Sequence, residues 1–462
     1  MSEEGVAYAS PAGRGVLAAT VLGSGMVFLD STVANVALRP IGKALDADLA
    51  VLQWVVNGYT LALAALILLG GSLGDRFGRR RVFVVGTVWF AVGSLLCGLA
   101  PTGAVLVAAR VLQGVGGALL TPGSLAILQT SLRHEDRARA IGAWSGLAGL
   151  SSAAGPLVGG WLVSALSWRW AFLLNLPLAV VVVTIALRCV PESRSTAVPR
   201  LDPLGALLAA LALGGSTYAL VSWGSPAAWA ALVVGVASAV AFLGWQRVAL
   251  APMLPLGIFR SRAFSAANVA TFVVYGGLAG VTFLLVLDLQ VASGFSPLVS
   301  GSLLLPITAM MLLLSSHSGA LATRTGARLP MTVGPVIVAV SVLVLATLPE
   351  GGLSWLVALV GAALLGLGMA VLVAPLTATV LASVGDEHAG LASGVNNAVA
   401  RTASLVAVAA LPVVVGLGGD DYADPRVLHP AYRTAMLLCA GLVALGAVVS
   451  WVGVPGRADA EG

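Results

Sequence analysis

Apolar residues run through this chain in long blocks, each closed by a short cluster rich in Gly, Pro, Arg or Asp. A helix needs about 20 apolar residues to cross the hydrocarbon of a bilayer. Blocks of that length fall near 15–38, 51–73, 82–100, 104–130, 138–165, 168–190, 203–223, 227–247, 263–287, 297–318, 331–348, 353–380, 389–416 and 431–454. The pattern predicts an all-α membrane protein with fourteen transmembrane helices. Basic residues interrupt the blocks unevenly. Breaks after even-numbered spans hold Arg76, Arg79, Arg80 and Arg81, then Arg133, Arg137 and Arg139, then Arg188, Arg194 and Arg200. Further along they hold Arg247, Arg260 and Arg262, then Arg324 and Arg328, whereas the odd breaks hold Arg39, Lys43, Arg169 and Arg426. Cytoplasmic loops concentrate Arg and Lys, so the even breaks and both termini are expected in the cytoplasm. Met1–Glu4 carries no basic lead-in to a cleaved signal, so the first block reads as a retained span.

Two stretches match at a nearly constant offset. Gly71–Arg80 reappears as Gly319–Arg328, 248 residues on; Thr121-Pro122 is echoed by Ala374-Pro375, 253 on; Gly142 matches Gly394, 252 on. Three landmarks in one order and spacing imply two related six-helix bundles, 15–190 and 263–455, joined by a linker, 191–262, that carries two extra central helices. Short tails, 1–14 and 456–462, complete the division. Repeats around a midplane cavity suit a transporter, because rocking one half against the other exposes the cavity to each side in turn.

Composition narrows the class. The chain is 59% hydrophobic and only 9% charged, where soluble domains carry about a quarter charged residues; lipid must be its solvent. The net charge of +5 comes from arginines scattered among the breaks, not from one basic face, which argues against nucleic acid as a partner. Cys97, Cys189 and Cys439 are far apart and the four histidines are scattered, so neither disulfides nor a metal site is expected. No phosphate-binding Gly-x-x-x-x-Gly-Lys-Ser/Thr loop occurs. Energy must then come from an ion gradient, with no cofactor. Nothing suggests a sensor or an intramembrane enzyme: there is no output domain and no catalytic cluster at facing depths.

Ionisable residues inside hydrocarbon are costly and read as functional. Asp30 lies eight residues before Leu38 at one end of span one, and Arg110 six residues after Ala104 at the same end of span four. At about 1.5 Å per residue their depths differ by about 3 Å, so the two are expected to form or exchange a charge pair. Burial holds a proton on a carboxyl and a nearby guanidinium removes it, so rearranging such a pair could load and release a proton. The competing reading is a static helix–helix partner. Gln113, one turn from Arg110, either extends the polar line or packs. Asp288 at the end of span nine is either a solvated helix-end carboxylate, the plainer reading, or a second proton or cation site. Arg401, near mid-membrane in span thirteen, is structural or meets substrate or the coupling relay. Gly155-Pro156 and Gly159-Gly160 kink one helix and admit another closely, whether to seal a cavity or only to pack.

The chain resembles the major facilitator superfamily, specifically its fourteen-span drug:proton antiporter family, over essentially its whole length. Gly71, Gly74, Asp75, Arg76, Gly78, Arg79 and Arg80 resemble the superfamily's signature between spans two and three. Leu29–Leu38 resembles the first-span signature of fourteen-span exporters, and Trp54 and Tyr59 sit where their second span carries Trp and Tyr. Arg110–Gly114 resembles the fourth-span signature; Ala154–Gly160 resembles the fifth-span signature of exporters; Asn397 and Arg401 fit the family's Asn-x-x-x-Arg pattern in span thirteen. The departures are Thr323 at the repeat's counterpart of Asp75, Ala403-Ser404-Leu405 where paired glycines usually follow the arginine, and Asp288 where an aromatic residue is usual.

The resemblance implies the major facilitator fold and a proton-coupled exporter of small lipophilic or cationic substrates in the cell inner membrane, expected as a monomer. A lipid exporter or flippase on the same fold is the alternative. Proton coupling would fall to Asp30, Arg110 and Asp288. Asp75 would latch the closed state by meeting the N-terminus of span thirteen, where a helix dipole favours an anion; an ordinary positive loop is the plainer reading. Asn35, Trp54, Asn57, Tyr59, Gln113, Asn268, Asn397 and Arg401 are candidates for the substrate cavity, with the aromatics suited to cationic ligands.

Overall fold

A computed structural model describes residues 5–195, 201–349, 353–384 and 389–456. Its helices are α1 (Pro11–Leu45), α2 (Leu49–Phe77), α3 (Arg79–Leu99), α4 (Gly103–Ser131), α5 (His134–Ala165), α6 (Trp170–Leu173), α7 (Asn175–Cys189), α8 (Pro203–Val221), α9 (Pro226–Val248), α10 (Arg262–Val291), α11 (Pro297–Ser302), α12 (Leu305–Thr325), α13 (Arg328–Ala346), α14 (Ser354–Ala382), α15 (Ala389–Val414) and α16 (Pro425–Gly453). Among the described residues thirteen helical stretches are long and apolar enough to cross a membrane, with α6 and α7 counted together and α11 counted with the first part of α12. The remaining expected stretch, 138–165, lies inside the 32-residue α5, several of whose side chains fall outside the described residues.

Helix ends follow from local chemistry. Ser10 accepts from the Gly13 amide at 3.0 Å and Pro11 opens the helix, so α1 begins four residues before the apolar block. Proline is favoured there because its missing N–H would have no partner anyway. Asp424 with Pro425, and Ser296 with Pro297, start α16 and α11 in the same way.

The chain divides into two compact units. One comprises Met1–Asp46, Trp54–Gly214 and Gly235–Met253; the other comprises Ala47–Gln53, Gly215–Val234 and Leu254–Gly462. In the first, α1 packs on α4, α5 and α7, and α3 packs on α4 and α7. In the second, α10 packs on α14, α15 and α16, and α13 packs on α14 and α16.

The repeat reappears inside each unit as a helix contact. Gly116 of α4 sits against the backbone of Gly86 and Phe90 of α3, and Gly368 of α14 sits against Gly334 and Val338 of α13. A Cβ at either glycine would collide with its neighbour's backbone, so small residues set the interhelical distance, as membrane packing requires. Positive φ recurs at the matching turns, at Gly78 and Gly326. Large apolar side chains on α3, among them Val85, Trp89 and Val92, are exposed outward, which in this chain means toward lipid. The extra helix α9 buries only 17% of its apolar window, against 67% for α2 and α10.

Candidate functional site

Asp30 lies on α1 and is 1% exposed; Arg110, on α4, is also 1% exposed. Their side chains meet, with Arg110 donating from a terminal nitrogen to Asp30 Oδ2 at 2.5 Å. The other carboxylate oxygen, Oδ1, accepts from Gln113 Nε2 at 2.8 Å and from Asn175 Nδ2 at 2.9 Å. Ser94 Oγ accepts from the same two amides at 2.7 and 3.2 Å. Arg110 also donates to Gln113 Oε1 at 2.6 Å and, through Nε, to the Val55 carbonyl at 2.9 Å. The guanidinium lies over the Tyr59 ring at 4.4 Å and 5.5 Å from that of Phe172.

Side chains of α4 and α7 therefore converge on one carboxylate of α1, and every side chain bonded to it is a donor. Leaving either member of a buried ion pair alone costs about 3–5 kcal/mol, so the two must move or change charge together. One atom stands outside this accounting: Asn175 Oδ1 is buried with no hydrogen-bond partner. If Asp30 took up a proton, its new O–H would need an acceptor, and a rotated Asn175 amide offers one.

The exporter-type glycines reach the same helix. Gly155 of α5 packs against Thr32 and the Leu29 carbonyl, and Gly159 packs against Val33. These contacts bracket the turn of α1 that follows Asp30. Pro156 and Gly160 are buried beside them in α5.

At the α2–α3 corner, Asp75 pairs with Arg79 at 2.7 Å. A carboxylate does meet a helix N-terminus at this corner, but it is Glu192, which accepts from the backbone N–H groups of Arg80 and Arg81 at 3.1 and 3.2 Å. It occupies the space over Gly78, whose φ of 111° places it at the α3 N-cap. Arg80 adds a bond to the Val190 carbonyl at 3.1 Å, and Arg76 lies over the Phe77 ring. Gly71 packs against Pro122, and Gly74 packs against Arg79. The expected meeting of Asp75 with the N-terminus of span thirteen falls at 389–390, whose side chains lie outside the described residues, as do the repeat's side chains at 319–324.

Candidate cavity residues fare unequally. Tyr59 and Gln113 belong to the buried network. Asn57 is fully buried with neither amide atom bonded, and Asn35 Oδ1 is likewise without a partner. Trp54 and Arg401 are partly exposed. Asn268 is joined to α15 through Asn396, whose amide donates to Asn268 Oδ1 at 3.2 Å and to Thr271 at 2.8 Å, while the neighbouring Asn397 is exposed.

Asp288 corrects the plainer sequence reading. It is not a solvated helix-end carboxylate but fully buried, with His429 Nδ1 at 3.0 and 3.2 Å from its two oxygens. The helix α10 runs on to Val291, and the start of α16 covers it. Sequence reasoning also missed Asn175 and Ser94, small polar residues inside apolar blocks, as well as Glu192, a carboxylate in a basic break. His429 precedes its apolar block and is one of four scattered histidines, so the sequence gives it no partner.

The family model described as Major Facilitator Superfamily matches residues 20–409 and 267–461. The multidrug resistance protein Stp of Mycobacterium tuberculosis (strain CDC 1551 / Oshkosh) is 35% identical, over 89% of this chain and 77% of that protein. The tetracenomycin C resistance and export protein of Streptomyces glaucescens is 36% identical, over 91% and 80%. The methylenomycin A resistance protein of Bacillus subtilis (strain 168) is 34% identical, over 93% and 94%. Among solved structures, the peptide transporter POT in complex with sulfate shares the fold at a TM-score of 0.70, with 16% identity over 97% of this chain and 96% of that one.

Proposed function

The chain belongs to the Major Facilitator Superfamily, and from that premise we propose that it is a proton-driven antiporter exporting drugs, antibiotics or other amphipathic small molecules by alternating access. It is a transporter and not an enzyme. Its relatives are named for multidrug resistance, for tetracenomycin C resistance and export, and for methylenomycin A resistance. Those names support outward transport of amphipathic compounds. The cytoplasmic membrane, cytoplasmic termini and a monomer are the setting the arginine pattern and the family favour.

The observation that carries proton coupling is the enclosed Asp30 carboxylate with Arg110, Gln113 and Asn175 as its donors. Separation of the pair would leave a buried charge that a proton can neutralise; closure would expel that proton. A proton crossing 100 mV releases about 2.3 kcal/mol, and each pH unit of gradient adds about 1.4 kcal/mol. Proteoliposomes carrying a pH-sensitive dye test this with methylenomycin A, tetracenomycin C and ethidium as probes. At least one should drive proton movement on addition, and Asp30→Asn should abolish it while leaving probe binding intact. An amide keeps the size but cannot cycle a proton. Probe transport by Asp30→Asn with unchanged proton movement would remove Asp30 from the mechanism.

A further inference from the structure

The outward face of α3 is grooved, and one end of the groove is charged. Val85, Val88, Trp89 and Val92 of α3 line it with Leu112 of α4, around a volume of about 460 Å³. At Val85 it continues into a second hollow of about 360 Å³, lined also by Phe77 of α2, Leu119 of α4 and Arg81. Close packing fixes the walls. Gly86 and Gly93 of α3 leave no room for a Cβ against Leu119 and Gln113 of α4, and Trp89 Nε1 donates to the Leu112 carbonyl at 2.9 Å. Phe77, Val85, Trp89 and Val92 are nonetheless 45–56% exposed, at a height where the solvent is hydrocarbon.

The charge lies where the hydrocarbon ends. Arg81 immediately precedes the apolar stretch 82–100, and its side chain is 66% exposed. The Arg76 guanidinium lies over the Phe77 ring at 5.5 Å, so two arginines border the same hollow. Four arginines at this corner share two carboxylates. Asp75 takes Arg79 at 2.7 Å, and Glu192 lies 3.8 Å from both Arg80 and Arg81. The positive charge left over faces the headgroup layer. The hydrocarbon of one leaflet is about 15 Å deep, and at about 1.5 Å per residue the groove from Arg81 to Val92 runs about 16 Å.

We infer that this groove binds one anionic phospholipid, its phosphate held by Arg76 and Arg81 and one acyl chain lying along α3 as far as Val92.

Both halves of the site bear on the choice of ligand. A guanidinium pairs with phosphate through two parallel hydrogen bonds, and basic pockets between membrane helices take acidic lipid headgroups. A zwitterionic lipid would fill the groove but bring a cation of its own to the arginines. A soluble anion would meet the charge and leave the apolar walls uncovered. The Glu192 carboxylate does not cancel the pocket, because it is shared between two arginines and also accepts from two backbone N–H groups.

The site stands apart from the efflux reading, because it needs only the bilayer and its test needs no transport. The purified full-length protein in phosphatidylcholine vesicles is irradiated with a trace of phosphatidylglycerol or phosphatidylcholine carrying a diazirine on one acyl chain. Labelled peptides are then mapped by mass spectrometry. The reference is α14, which exposes Leu356, Leu359 and Val360, has no ionisable residue and is followed in sequence by Asp386 and Glu387. The α3-to-α14 labelling ratio should be higher for the anionic probe, by about fivefold for each arginine engaged. Arg76→Gln combined with Arg81→Gln should bring it down to the ratio of the zwitterionic probe. Equal ratios for the two probes in the wild type would overturn the site, as would a preference that outlives both arginines. Should the double variant fail to fold, competition in the wild type decides. Replacing a small part of the vesicle lipid with unlabelled phosphatidylglycerol should remove the anionic label from α3 and leave that on α14. Label that persists on α3, or falls equally on both helices, is ordinary bilayer contact and would sink the inference.

Discussion

Around Asp30 geometry matters as much as charge. Arg110 spends its guanidinium on three acceptors at once, Asp30, Gln113 and the Val55 carbonyl, and stacks over Tyr59 as well. A lysine would keep the charge but lose the planar fork. Losing one charged hydrogen bond costs about 1.5–3 kcal/mol, which is tenfold or more in an equilibrium. Arg110→Lys should therefore insert normally and lose at least tenfold in turnover in the proteoliposome assay. Wild-type turnover would mean that a positive charge near Asp30 is all the site requires. The depth argument from the sequence brought Asp30 and Arg110 together correctly, because helix rise converts residue count into height. It was silent on Asn175, since its place in the fourth helix of the network depends on rotation about the helix axis, which height does not encode.

At the scale of elements, most boundaries were legible because an apolar block and a helix are the same length constraint seen twice. What escaped were contacts made by the ends of helices. Asp202, just before α8, accepts from Trp245 Nε1 at 2.7 Å, from Gln246 Nε2 at 2.8 Å, and from the Gly205 and Met253 amides at 2.8 and 3.3 Å. An Asp-Pro pair opening an apolar run signals a helix cap, but nothing in it announces a clasp to residues 245–253. Burial works to raise this carboxyl, yet the bonds from Trp245, Gln246, Gly205 and Met253 outweigh it and hold Asp202 below the usual carboxylate range. A lowered folded value means its stabilisation is complete above the unfolded value of about 3.9 and fades only as pH falls through the folded value. Asp202→Ala should then lower the unfolding temperature of the purified protein equally at pH 5 and pH 8, by several degrees. A fall at pH 8 that vanishes at pH 5 would contradict this, as would no fall at all.

For the whole chain the repeat constrains orientation. The related corners at Gly78 and Gly326 share a positive φ, and the related glycine contacts, Gly116 of α4 against α3 and Gly368 of α14 against α13, each set one helix pair inside its own unit. Copies with the same internal packing have the same hand. Each can face the same side of the membrane only if an even number of spans separates the two corners. The apolar blocks supply eight between Arg81 and Arg324, two of them α8 and α9. On that count an inserted pair keeps the parity of the blocks, where a single insertion would change it and put Arg328 on the side opposite Arg81. The arginine-rich breaks agree, since Arg and Lys near helix ends favour the cytoplasm. Reporter fusions after Arg81, Arg139 and Arg328 should accordingly all read cytoplasm, and so should a fusion at the C-terminus. A C-terminal reporter active only outside the cytoplasm would require an odd number of spans and would break the correspondence between the two halves.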